Sequence, residues 1–350
     1  MAARWKLRPN GSNWGDFGPD DQLGRLNLLT PDKVREAARE VQEGITFCLS
    51  MPLDRPGGNV MSPSRHPPVL RPTLRNGRPR VNYRVADDSP NATDLICDDA
   101  AILHTQYSTH WDAFSHCGFM FDADDDGIPE PLYYNGFRAG VDIVGTSDPA
   151  EAGAVGTFEA RSTISARALG IENMAARCVQ GRGVMIDLRA HCGDRREVVG
   201  YERLMAILAA DGVTVESGDM VCLHTGFAEA LMAMKGRPDA RQLEDTGAVL
   251  DGRDPRLLQW ITDSGLSVLI ADNYAVEAHP AASQPASCSA TLPLHEHCLF
   301  KLGVHLGEIW HLTPLAEWLR AHGRHRFLLT APPLRLPGAV GSPATPVATV

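Results

Sequence analysis

From residue 139 onward the chain alternates apolar runs of strand length with amphipathic runs of helix length, and that order restricts it to an α/β architecture. Strands are expected at Val141–Val144, Gly183–Leu188, Asp219–His224, Leu266–Ala271 and Arg326–Thr330, with Val304–Trp310 extended. Helices are expected at Ile171–Cys178, Tyr201–Ala210, Phe227–Met234 and Leu294–Leu302. Two more carry start signals: Asp254-Pro255 opens a helix to about Asp263, and Thr313-Pro314 one to His322. Upstream, Thr30-Pro31 opens a helix that Gly44 ends, and Ile45–Leu53 reads as a strand. No linker-like break divides the middle, so residues 1–350 read as a single domain with three appendages. Residues 1–30 form an extended arm. Residues 54–96, rich in Pro, Arg, Asn and Gly, form a long loop expected to act as an ordered flap or an oligomer arm. Residues 331–350 form a tail or an arm over a partner subunit.

One stretch stands apart. Ala101-Ile102-Leu103 can start a buried strand, and it runs into Gln106-Tyr107-Ser108-Thr109-His110-Trp111-Asp112-Ala113-Phe114-Ser115-His116. Side chains on a strand alternate between faces, so His104, Gln106, Ser108, His110 and Asp112 would share one if the strand ran that far. A polar row of this kind is costly in a core unless something binds it, and a divalent metal with a water is the simplest occupant.

Composition excludes several classes. Lys plus Arg total 33 and Asp plus Glu 43, for a formal charge of −10, which argues against a generic nucleic-acid or anionic-membrane binder. No apolar run approaches the roughly 20 residues a membrane span needs. Met1–Lys6 lead into no apolar stretch, so no secretory signal is expected and the protein reads as cytoplasmic. The eight cysteines, at 48, 97, 117, 178, 192, 222, 288 and 298, form no Cys-x-x-Cys pair and read as buried reduced thiols. Asp122–Gly127 matches half of a calcium loop, but Tyr133 stands at the twelfth position, so a solvated acidic turn is expected. There is no Gly-x-Ser-x-Gly elbow, no complete dinucleotide loop and no Walker loop.

The 106–116 run resembles the His-x-Gly-Thr-His-x-Asp-x-Pro-x-His signature of the cyclase family, which includes bacterial kynurenine formamidases and isatin hydrolases. Thr109-His110, Asp112 and His116 match it; Ser108 replaces the glycine, Phe114 the proline, and Gln106 the first metal-ligand histidine. The arm segments Trp14–Asp21 and Leu23–Asn27 resemble the opening of the longer members. Leu294-His295-Glu296-His297 followed by Gly303–Trp310 resembles the family's second half-site, which matches His295 and Glu308 to ligands and leaves His297 weaker. The resemblance implies a swivelling β/β/α fold with mixed sheets flanked by helices, assembled as a homodimer or larger. It implies His116 as the general base of a metal-dependent hydrolase acting on a small cyclic or aryl amide, imide or lactone. His104, Trp111, Phe114, His224 and Asp272 are candidates for the substrate pocket.

Glutamine is a much weaker zinc ligand than imidazole, so two outcomes stay open. In one, His110, Asp112, His295 and Glu308 hold a single metal with Gln106 or His104 assisting, and the oxygen-rich set shifts preference from zinc toward manganese. In the other the metal is lost. The protein is then a metal-independent cyclase or isomerase acting through His116, or a non-catalytic binder of a small ligand.

Overall fold

Gln180–Asp187, Met220–His224 and Val268–Ala271 are buried almost throughout, because helices or further chain cover both faces of each strand. They lie at the centre of a nine-stranded sheet in a computed structural model that describes residues 4–153, 162–281 and 289–350. In chain order the sheet contains β1 (Thr46–Cys48), β2 (His110–Asp112), β3 (Gln180–Asp187), β4 (Met220–His224), β5 (Val268–Ala271), β6 (His305–Glu308), β7 (Arg326–Thr330), β8 (Gly341–Pro343) and β9 (Val347–Thr349). Their spatial order is β1-β9-β7-β3-β4-β5-β6-β2-β8. The four strands β3 to β6 run parallel, and every pairing outside them is antiparallel.

Helices α1 (Pro31–Ala38), α2 (Tyr201–Asp211), α3 (Phe227–Ala233), α4 (Pro255–Ser264) and α5 (Thr313–Ala321) flank it. Strand alternation divides the core into two layers. Val184, Ile186, Val221, Leu223 and Leu269 face Leu204, Ile207, Leu257 and Ile261 of α2 and α4. Met185, Met220, Cys222, Val268 and Ile270 share the other layer with Leu315 and Leu319 of α5. Two start signals act as side-chain caps, since Thr30 accepts from Lys33 N and Asp254 from Arg256 N and Leu257 N; at Thr313-Pro314 the helix begins with Leu312 as its N-cap and no side-chain cap.

Several expectations need correction. Residues 101–112 are not one strand: Asp99–Ile102 pairs with Val69–Pro72 outside the main sheet, residues 103–109 turn, and the chain re-enters as β2. The first strand is shorter than Ile45–Leu53. Within residues 54–96 there are short strands, among them a hairpin of Leu74–Arg75 with Arg78–Pro79. Its turn is Asn76-Gly77, both at positive φ, as a two-residue hairpin turn demands.

The last twenty residues are not a loose tail. β8 and β9 are sheet strands, and Val350 is wholly buried with its N–H on Ile45 O. The N-terminal arm is packed rather than free, for Trp14 is fully buried and donates its indole N–H to Phe300 O at 2.7 Å. Gly24 lies so close to Gly303 that a Cβ would come within 2.2 Å of the Gly303 carbonyl oxygen. The helix expected at Leu294–Leu302 starts at Pro293 as a single α-turn and widens to a π-helix over Glu296–Leu302.

All seven described cysteines are free, but only Cys222 and Cys298 are buried; Cys48, Cys97 and Cys178 are exposed, and Cys288 lies outside the described residues. At the acidic turn Asp122 accepts from the Asp126 and Gly127 N–H groups. No helix among the described residues is long and apolar enough to cross a membrane.

Candidate metal centre

Three side chains converge because of strand register. His110 and Asp112 are two apart on β2 and share a face, and Glu308 on β6 is the direct cross-strand partner of His110. Thr109 fixes this register: its hydroxyl donates to Ile309 O at 2.6 Å and accepts from Met51 N at 2.9 Å. His110 donates its Nδ1–H to Ser108 O at 2.7 Å, which leaves the Nε2 lone pair directed at the site. Nε2 lies 3.6 Å from Asp112 Oδ1 and 3.6 Å from Glu308 Oε2. His110 Nε2 and Asp112 Oδ1 are buried and have no hydrogen-bond partner among the described residues. Acceptors facing one another in a buried site call for a cation between them. The three ligand atoms lie within 4.8 Å of one another, a spacing a single ion can bridge.

His295 enters from the helix starting at Pro293, with Nε2 3.3 Å from Glu308 Oε1. Its orientation comes from Glu277. The buried Glu277 carboxylate accepts from His295 Nδ1 at 2.8 Å, His295 N at 3.0 Å and Leu294 N at 2.9 Å. A carboxylate behind a histidine fixes both tautomer and ring plane. Ala275 and Val276 carry positive φ just before Glu277, and Ile309 does so just after Glu308. Backbone held in this region by non-glycine residues costs free energy, and here it brackets both glutamates.

The electrostatics follow from burial and from these contacts. Burial pushes the Asp112 carboxyl up to about 6, against the pull of His110. Burial also acts to raise Glu308, but the His295 hydrogen bond and the neighbouring imidazoles outweigh it and hold Glu308 low, at about 2. Burial alone would lower His295, yet Glu277 and Glu308 raise it to about 10. His116 is pushed down to about 4, by burial first and then by the charges of His295 and Arg65.

His116 stands at the edge of the cluster, Nε2 3.8 Å from Asp112 Oδ1 and Nδ1 3.1 Å from the Gln106 side-chain nitrogen. Gln106 therefore faces His116 rather than the carboxylates, and its Oε1 accepts from the Thr105 hydroxyl. Neither Gln106 nor His295 is one of the three directly converging groups.

The expected pocket residues lie elsewhere. Because the strand breaks at 103–109, His104 sits beside His66 and accepts from the His66 N–H. Trp111 points to the opposite face of β2 and donates to Ala331 O. Phe114 is buried and stacks on His305 at 3.9 Å. His224 is buried between Asp187 and Thr313, and Asp272 accepts from the Thr225 and Gly226 N–H groups.

Beside the centre lies a cavity of about 190 Å3 lined by Val60, Phe227, Leu243, Asn273, Tyr274 and Glu277, among others. The Asn273 Oδ1 is buried and unpartnered among the described residues. Cys117 lies close by, but burial first and the nearby carboxylates next push its thiol well above its ordinary range, so it offers no thiolate.

No curated protein matches the chain. Two isatin hydrolases A share its fold: that of Labrenzia aggregata, bound to benzyl benzoate, at 14% identity over 89% of this chain and 94% of that one, with a TM-score of 0.52, and that of Ralstonia solanacearum at 14% over 91% and 95%, with a TM-score of 0.51. A solved structure described as a novel cyclase is 31% identical over 97% of both chains, with a TM-score of 0.71. A family model described as putative cyclase matches residues 48–278. The chain belongs to the cyclase family.

Proposed function

We propose that this protein is a metal-dependent hydrolase of a small cyclic or aryl amide, imide or lactone. The observation that carries this reading is the pair of buried, unpartnered atoms His110 Nε2 and Asp112 Oδ1, facing each other and Glu308 with no donor between them. His110, Asp112 and Glu308 would hold the cation, with His295 beside Glu308. An oxygen-rich set of this kind suits manganese better than a histidine-rich one would, with zinc as the other candidate. When bound, a divalent cation supplies a Lewis acid that polarises a carbonyl and acidifies a water.

The chain's own residues supply the proton path. His116 takes the proton of the attacking water at Nε2 and returns it to the leaving nitrogen or oxygen. For that, Nδ1 must carry the other proton, and Gln106 provides for it: with its amide oxygen turned to His116 it accepts Nδ1–H. The Thr105 hydroxyl serves either amide orientation, since it both donates and accepts. Gln106 thus acts as a positioning residue for the base. The isatin hydrolases that share the fold make isatin the first compound to try. The exposed Leu70, Leu74 and Leu95 of the 54–96 flap support self-association as a homodimer or larger.

A metal-free reading has one observation in its favour. A protonated His295 bridges Glu277 and Glu308 and satisfies both without a cation. It leaves His110 and Asp112 unsatisfied. Elemental analysis of the purified protein beside His110→Ala separates the two readings. About one metal per chain, lost in the variant, together with turnover of isatin or a lactone supports the hydrolase. No metal in either protein after incubation with manganese or zinc refutes it.

A further inference from the structure

We infer that Arg65 is an anion-recognising residue of this site, so that the preferred ligand carries a carboxylate beside its apolar body. Arg65 belongs to the 54–96 flap, where Arg71 and Arg84 also lack an ion pair but are exposed, whereas Arg65 is unpaired and half-buried. Arg55, Arg75, Arg78 and Arg80 of the same segment each lie against an aspartate, namely Asp54, Asp88, Asp87 and Asp98. Arg65 has no acidic partner within ion-pair distance among the described residues. It turns inward instead, half-buried, and donates one Nη1–H to Gln106 O at 3.0 Å. A guanidinium has five N–H donors in a planar fork suited to a carboxylate, and this bond uses one.

Its position is at the ligand's door. Arg65, Met61, Gln106, Tyr107 and Tyr274 line a narrow cleft, and Met61 and Tyr274 also line the 190 Å3 cavity. The two spaces therefore adjoin across two side chains. One offers a cation and the other an apolar wall of Val60, Phe227 and Leu243. The Arg65 charge is felt at His110, Asp112, His116 and Glu308, which places it within electrostatic reach of the whole centre. A small aryl body in the cavity would turn its carboxylate toward Arg65 across Met61 and Tyr274, which must give way because the cleft itself holds only about 10 Å3. This ligand class rests on the hydrolase reading for its purpose, but the anion binding itself does not.

The test is calorimetric titration of the full chain, supplied with manganese, with benzoate and with its neutral isostere benzamide. Neither probe is turned over, so the result is readable even if the protein proves to hold no metal and to hydrolyse nothing. The expected result is that Arg65→Met weakens benzoate about tenfold or more while benzamide changes by less than about twofold. Arg65→Gln, which keeps a donor for the Gln106 carbonyl, gives the same loss at an unchanged melting temperature and so covers the case of a misfolded Met variant. An unmodified protein that binds no benzoate, variants that bind it as well as the parent, or equal losses for both probes would overturn the inference.

Discussion

Glu277→Gln isolates the residue that orients His295. The Glu277 carboxylate accepts three buried N–H groups, from His295 Nδ1, His295 N and Leu294 N. A glutamine keeps one oxygen and points an N–H2 group at a backbone donor, so at least one bond is lost, and the charge opposite His295 disappears. The wild-type histidine is raised to about 10, against about 6.5 in the unfolded chain. A raised histidine contributes its stability fully below the unfolded pKa and loses it as pH rises through the folded one. That contribution is at most about 5 kcal/mol at pH 6. Glu277 and Glu308 share it, so the variant should lose on the order of 2–3 kcal/mol in metal-stripped protein at pH 6. Urea unfolding measures the gap, which should shrink toward pH 10. Because His295 then loses the partner that fixes its ring beside Glu308, manganese affinity should fall, measured by competition titration. If Glu277→Gln binds manganese as tightly as the parent and unfolds at the same urea concentration at pH 6, the orienting role is wrong.

Gly252→Ala attacks the same contact from the other side: its Cβ would lie 2.1 Å from Glu277 Oε2 and 3.0 Å from Leu294 N, so the carboxylate must move. Thermal melting should show a loss of about 2 kcal/mol with weaker manganese binding, and an unchanged protein would show that the glutamate can yield freely. Ending the chain at Gly338 removes β8 and β9, and circular dichroism should then show no cooperative unfolding. A cooperative transition near the parent's would mean these strands are dispensable. His297 is buried, bonded to Thr262 and pushed down to about 4 by burial first and Lys301 next. Its folded form binds fewer protons than the unfolded chain between pH 6.5 and 4, so stability falls as pH drops through that window. From pH 7.5 to 5 the parent should lose about 2 kcal/mol more than His297→Gln in urea titrations, and parallel losses would refute the assignment.

What the sequence made legible follows from what each segment buries. β4 was readable to within a residue because a strand covered on both faces is largely apolar, β7 because its short Phe-Leu-Leu run alternates between buried and half-buried positions, and α4 because Asp254-Pro255 is a physical start signal. β8 and β9 were not. They are three residues each, set among Pro, Gly and Ala, and only their pairing with β2 and β7 gives them a structure. The polar row was read as one continuous strand, and the turn at 103–109 undid that, sending His104 to the flap and leaving only His110 and Asp112 in register. Glu308 lies opposite His110 through a pairing no local pattern announces, and only the family resemblance pointed to it. Glu277 escaped because its role is a contact between a strand end and a helix start that its own neighbourhood does not signal.

Gln106 has partners that a metal ligand would not. Considered as a ligand it looks like a defect, since a neutral amide in place of an imidazole weakens any metal site. The structure sets it among other partners, with its carbonyl holding Arg65, its side chain on His116, and Gly341 so close that a Cβ there would come within 2.5 Å of its amide nitrogen. An imidazole is rigid and has one ring nitrogen for each contact. An amide offers a donor and an acceptor on one rotatable group and can follow His116 through either protonation state. The residue that would be a weak ligand at the centre therefore gives His116 a partner, and it couples that imidazole through one residue to Arg65.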